Sequence, residues 1–189
     1  MRSQVAGALF SVGLEHHCGI ITLVERRLHA PALALVRPQV DAYLRGAWAS
    51  YCASSEQLES FARGDDPPNA DRIIKQLEQH DAFVDGSLNG LKVSAWPTLC
   101  DYNHGGSRQI TRFLKNDGIE PNVEDDEFID LLFYSEGWAL MCAIGIAGLT
   151  SRADVAAEMG GLANQASHAH QHFTAALAAS ANTRLALKE

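Results

Sequence analysis

Alternation of apolar and polar residues, the mark of a half-buried strand, never runs far in this chain, and β-branched residues are spread thin. Apolar residues instead recur at spacings of three and four between strong breakers, which is the period of a helix with one buried face. The spacing predicts a first helix from Ser3 to Leu28, with Leu9, Val12, His16, Ile20, Leu23 and Arg27 near one stripe. A second begins near Pro31, a residue suited to a first helical position, and runs through Val36, Val40, Leu44, Ala47, Trp48 and Tyr51 toward Phe61. Pro38 lies inside it as a point of kinking or restart.

The run Gly64-Asp65-Asp66-Pro67-Pro68-Asn69 is a loop. A third helix fits Ala70 to Phe83 and is broken by Gly86-Ser87-Leu88-Asn89-Gly90. A fourth is expected from Ser94 to Lys115, ended by Asn116-Asp117-Gly118. A fifth covers Glu124 to Leu149, its acidic first turn matching the positive end of the helix dipole. Ser151 is the expected cap of a sixth, Arg152 to Leu187, with Gly160-Gly161 as a candidate break. The fold expected is all-α, an antiparallel bundle of five to seven helices forming one domain over residues 1–189.

A formal net charge of -8 excludes a broad nucleic-acid-binding surface, which needs a positive field, but leaves room for a small basic pocket. Cys18, Cys52, Cys100 and Cys142 form no Cys-x-x-Cys pair, so they read as buried free thiols of a cytoplasmic protein. The N-terminus carries no evident cleavable leader. The longest apolar run, Trp138 to Leu149, is shorter than the roughly 20 residues that span a bilayer and reads as a buried helix, so no membrane partner is expected.

Chemistry concentrates in Asp101-Tyr102-Asn103-His104-Gly105-Gly106-Ser107-Arg108-Gln109, where an acid, a phenol, an imidazole and a guanidinium surround paired glycines. On a continuous helix Asp101, Gly105, Arg108 and Arg112 share a side, and the glycines let a neighbour or ligand approach the backbone. His104 is the candidate base, Arg108 the candidate phosphate or anion contact, and Tyr102 a further proton or hydrogen-bond donor. The competing reading is a helix crossing at small residues, with Asp101 and Arg108 paired.

Arg37 and Asp41 sit at i and i+4 on a face shared with Leu44 and Trp48, which reads as an anion-binding arginine held by an acid or as an ordinary helical ion pair. Glu136, ahead of a wholly apolar stretch, is a candidate partner across the bundle for Arg108 or Arg37. His168 and His172 share a face and could chelate a metal, with His16 and His17 as further candidates. No His-Glu-x-x-His motif accompanies them, so no metal site is assigned. A Gly-rich phosphate loop, a Gly-x-Ser-x-Gly motif and a dinucleotide fingerprint are also missing from the sequence, and no cofactor is expected.

Two segments, Leu35 to Trp48 (an Arg…acid…Arg…Trp helix) and Leu99 to Gly106 (carrying Tyr-x-His-x-Gly), together resemble an uncharacterised group of bacterial all-helical proteins. Some of that group look distantly similar to HEPN-type helical domains, many of which are RNases of toxin–antitoxin or phage-defence systems. The HEPN signature places Arg ahead of His, whereas here His104 precedes Arg108. The sequence thus points to a polar pocket of Arg37, Asp41, Asp101, Tyr102, His104 and Arg108 that takes a small anion or nucleotide. The alternatives are a nuclease-like enzyme acting on RNA, a helical metal protein, and a structural partner that forms a homodimer through Gly105-Gly106 or the Ala-rich last helix.

Overall fold

The computed structural model describes residues 1–83, 86–115 and 118–186, with side-chain surroundings described to residue 171. Among the described residues lie eight helices: α1 (Arg2–Glu25), α2 (His29–Tyr51), α3 (Ser55–Ala62), α4 (Ala70–Leu77), α5 (Ser87–Asn103), α6 (Ser107–Thr111), α7 (Asp125–Leu149) and α8 (Ala153–Ala186). A two-stranded antiparallel ribbon, β1 (Leu114–Lys115) and β2 (Gly118–Ile119), lies between α6 and α7. The all-α bundle expected from the sequence is what forms.

The centre of the bundle is α1, α2 and α7. Phe10 of α1 is slotted between Gly46 of α2 and Gly145 of α7: a Cβ on either glycine would lie 2.6 Å from its ring. Gly13 meets Cys142 in the same way, and further along Gln39 of α2 meets Ser135 of α7. Rising numbers on α1 therefore meet falling numbers on α7, while α2 and α7 run parallel and α1 is antiparallel to both. At the other end of α1, the Arg2 guanidinium donates to the carbonyls of Ala49 (2.7 Å), Ser50 (3.2 Å) and Ala53 (2.6 Å) and so closes the C-terminus of α2.

The buried residues of α1 are Ala6, Phe10, Gly13 and Ile20; of the expected stripe Ile20 is among them and Leu9 and Leu23 pack partly buried on the core, but Val12 is 43% exposed. Glycine and alanine win the interface because they let backbones approach closely enough to hold Phe10 from both sides. By length and composition α1 and α7 are each apolar enough to cross a bilayer, α7 through a longer window than Trp138 to Leu149, yet in the fold they pack on each other.

Two expected helices divide. The second stops at Tyr51, and Ser54 starts α3 with a capping box: its hydroxyl accepts from Gln57 N–H at 3.1 Å, and Gln57 Oε1 accepts from Ser54 N–H at 2.8 Å. Pro38 stays within an unbroken α2. The fourth starts earlier than expected, at Ser87, after Gly86 in a left-handed conformation, and stops at Asn103. The third ends at Leu77 instead of Phe83, and Glu78 accepts the Asn89 N–H at 2.7 Å, tying α4 to α5. Gly160-Gly161 does not break α8, and Ser151, at φ +55°, lies in the turn after α7, while Arg152 directly precedes the helix that Ser151 was expected to cap.

Candidate functional site

The Asp101-to-Gln109 segment is a helix stop and restart. His104 is the last half-helical residue of α5, and Gly105 follows at φ +67°. The Gly106 N–H returns to the Asp101 carbonyl at 2.8 Å, the long bond of a Schellman turn. The Asp101 carboxylate then accepts the Arg108 backbone N–H at 2.5 Å, capping the first turn of α6. A Cβ on Gly106 would overlap that carboxylate where it stands, so a side chain there and the cap compete for the same space. The expected continuous helix is therefore two, with Gly105 supplying the left-handed turn between them and Gly106 lying against the Asp101 carboxylate.

This geometry gives the expected pocket residues different partners. The side chains of His104 and Arg108 are exposed on the turn, and Asp101 is occupied as a cap. Arg37 and Asp41 form the i,i+4 pair at 3.1 Å, but the guanidinium lies 4.0 Å over the Trp96 ring and donates to Cys100 Sγ at 2.7 Å. Trp48, expected beside that pair, instead donates its indole N–H to Gln76 at 2.9 Å. Of the six residues expected to form the pocket only Tyr102 is buried, being 8% exposed, and it accepts from Arg112 Nη2 at 3.0 Å. Arg112 is also ion-paired with Glu127, so its charge is compensated on the spot.

The charge of Glu136, expected to act on Arg108 or Arg37, acts on His17 of α1. His17 belongs to a network the sequence did not reveal. Gln39 and Ser135 are fully buried; Ser135 Oγ donates to Gln39 Oε1 at 2.7 Å, and Gln39 Nε2 donates to the Ser135 carbonyl at 2.8 Å. With its proton spent on Gln39, Ser135 Oγ accepts from His17 Nδ1 at 2.8 Å. Burial holds the His17 imidazole below its ordinary pKa, opposed in part by Glu136. The network locks α1, α2 and α7 in register and keeps Ser135 from acting as a nucleophile.

Of the cysteines, only Cys142 is buried, its thiol pushed up to about 12 by desolvation; Cys18 is exposed. His168 is exposed, and the side chain of His172 lies outside the described residues.

The feature with the form of a binding site is a cleft of about 660 Å³ between α5, α7 and α8, with Leu33 and Val36 of α2 at its floor. Its origin is how the outer helices lean: α5 packs on α2 and α8 packs on α7, leaving a gap between them. Each wall is a helical face at spacings of three and four. Ala95, Leu99 and Tyr102 line it from α5, Leu131, Tyr134 and Gly137 from α7, and Ala163, Ala166, Ser167 and His170 from α8. The α8 residues are mostly small, so α8 covers the apolar face of α7 without filling the space above it.

Polar groups gather at the end of the cleft near the start of α7: Arg112 with Tyr102 and Glu127, and Asp130 with His170 Nε2 3.8 Å away. The His170 ring lies 4.5 Å from that of Phe133. Tyr134 Oη is buried without a hydrogen-bond partner, a state that costs about 1–3 kcal/mol if nothing fills it. Burial pushes its phenol up; the Trp138 indole, edge-on with centroids 6.2 Å apart, offsets part of that without bonding geometry to Oη. The sequence signal for this cleft was the apolar character of α7 on nearly all sides, which demands a cover, paired with an Ala-rich last helix too small to pack it solid.

Fold and site together define a helical bundle with an apolar interhelical cleft. The chain belongs to a family of unknown function (DUF6988), which matches residues 10–174 and so includes every residue lining the cleft. No curated protein and no solved structure matches the chain.

Proposed function

We propose that this protein binds a small, largely apolar molecule in the cleft between α5, α7 and α8. The observation that carries the reading is the cleft itself: about 660 Å³, within the range of small-molecule sites, with apolar walls from three helices and polar groups at one end. An anion or nucleotide site would need an uncompensated cation in the cleft, and Arg112 is held by Glu127. The exposed His104 and Arg108 supply no enclosed surface on which to orient a substrate.

The neutral dye Nile red tests the reading. Fluorescence enhancement that saturates at one dye per chain in the wild type, and is lost in a folded Ala166→Trp variant whose indole fills the cleft, is the expected result. Equal enhancement by both proteins would place the dye elsewhere and sink the proposal.

A further inference from the structure

A second depression, of about 390 Å³, lies between α3 and α4 and shares no lining residue with the apolar cleft. It is lined by Gln57 of α3, Pro68 of the loop before α4, Arg72, Lys75 and Gln76 of α4, and Gln79 just beyond that helix. We propose that it binds an oxyanion of the phosphate class, free or as the head of a small ester, between the Arg72 guanidinium, the Lys75 ammonium and the side-chain amides of Gln57 and Gln76.

The placement follows from the pattern of α4. Ile73, Ile74 and Leu77 are buried, which turns Arg72, Lys75, Gln76 and Gln79, at spacings of three and four, onto the opposite face. Two of the amides have their orientation set by chemistry. The Trp48 indole N–H can only donate, so the atom it meets at 2.9 Å is Gln76 Oε1, and the Gln76 Nε2 donors are left over. The Ser54 backbone N–H fixes Gln57 in the same way, at 2.8 Å from Oε1.

The acids that could compensate Lys75 along its own helix are committed to α5. Asp71, one turn before it, is ion-paired with Lys92 at 2.5 Å, and Glu78, three residues after it, accepts the Asn89 N–H at 2.7 Å. No carboxylate lines the depression, and among the described residues neither Arg72 nor Lys75 has an ion pair. In a chain of net charge -8 this is a local excess of positive charge and of hydrogen-bond donors. A phosphate group brings charge and three acceptor oxygens to them, where a carboxylate brings two.

The indole N–H resonance of Trp48, bonded directly to Gln76, reads the site. The full chain is titrated with inorganic phosphate or with glycerol phosphate, each exchanged against sodium chloride at constant ionic strength. A saturating shift of Trp48, with the Trp138 indole unmoved, is the expected result, and the tighter of the two ligands identifies the source as free phosphate or ester. Arg72 and Lys75 are exposed, so Arg72→Gln and Lys75→Gln leave the fold intact; each is expected to weaken binding about fivefold, and the two together to abolish saturation. Lys115→Gln, which removes an equal charge from the β1–β2 ribbon, is expected to leave the midpoint unchanged. A Trp48 resonance that stays in place or drifts without saturating, saturation that survives in the double variant, or a loss in Lys115→Gln equal to that in Arg72→Gln would overturn the proposal.

Discussion

The Asp101 carboxylate and the Arg108 backbone N–H meet at 2.5 Å across the Gly105-Gly106 turn, and this bond joins the end of α5 to the start of α6. Asp101→Ala removes a cap and is expected to cost about 1 kcal/mol in urea unfolding. Gly106→Ala puts a methyl group into the carboxylate and is expected to cost about 1–3 kcal/mol. Because the methyl clashes with Asp101 itself, the double variant is expected to be more stable than the sum of the two, by about 1 kcal/mol. Strict additivity would show that the carboxylate is not what Gly106 accommodates.

Phe10 sets the spacing of the three central helices. Gly46→Ala and Gly145→Ala each drive a methyl to within 2.6 Å of its ring and are each expected to destabilise by about 1–3 kcal/mol. Combining either with Phe10→Leu, which withdraws the ring edge, is expected to recover part of that loss. Thermal unfolding of the single and paired variants reads the outcome.

The helices themselves were legible in the sequence; their ends were less so. Arg37 and Asp41 could be paired from spacing alone, and the acidic first turn of α7 marked its start. The breaks at Ser54 and at Gly105 were missed although each carries a local signal: a Ser-x-x-Gln capping box in one case, a glycine placed to end a helix in the other. Apolar period alone runs straight through both, because flanking residues continue the pattern. For the cleft the sequence held only the need of an apolar α7 for a cover, and not the place of the gap. It depends on which neighbour α5 and α8 lean against, and no window of sequence contains that choice. Tyr102 was found because a phenol stands out; Tyr134 and Asp130 were not, because on α7 they look like two more positions of an apolar helix and its acidic start.

The buried network of Gln39, Ser135 and His17 is expected to punish partial removal. Ser135→Ala strands the Gln39 carbonyl oxygen and the His17 N–H and is expected to cost about 1–3 kcal/mol. Gln39→Leu with Ser135→Ala removes both partners of the central bond and is expected to be less damaging than the two single losses summed, as read by chemical unfolding.

Stability is expected to fall on mild acidification. His29 is buried against Phe128, 4.5 Å between ring centroids, and burial, aided by the Arg27 charge, holds its pKa below 6.5; burial lowers His17 as well. A histidine whose pKa is depressed by folding takes up its proton more readily when unfolded. Its contribution is therefore complete above 6.5 and is lost progressively as pH falls below that value, until the folded-state pKa is passed. The urea midpoint is expected to drop between pH 7.5 and pH 5, scanned at about half-unit steps, and to drop less in His29→Phe. An identical slope in both proteins would assign the loss to other groups.

The central claim is that the cleft between α5, α7 and α8 holds a small apolar guest, and methyl NMR during titration with octanol tests it most directly. The methyl resonances of Leu33, Leu99, Leu131 and Leu140, which line the cleft, are expected to shift together and saturate, while those of Leu44 and Leu58, buried elsewhere in the core, stay in place. Shifts spread evenly over all six leucines, or confined to Leu44 and Leu58, would contradict the account.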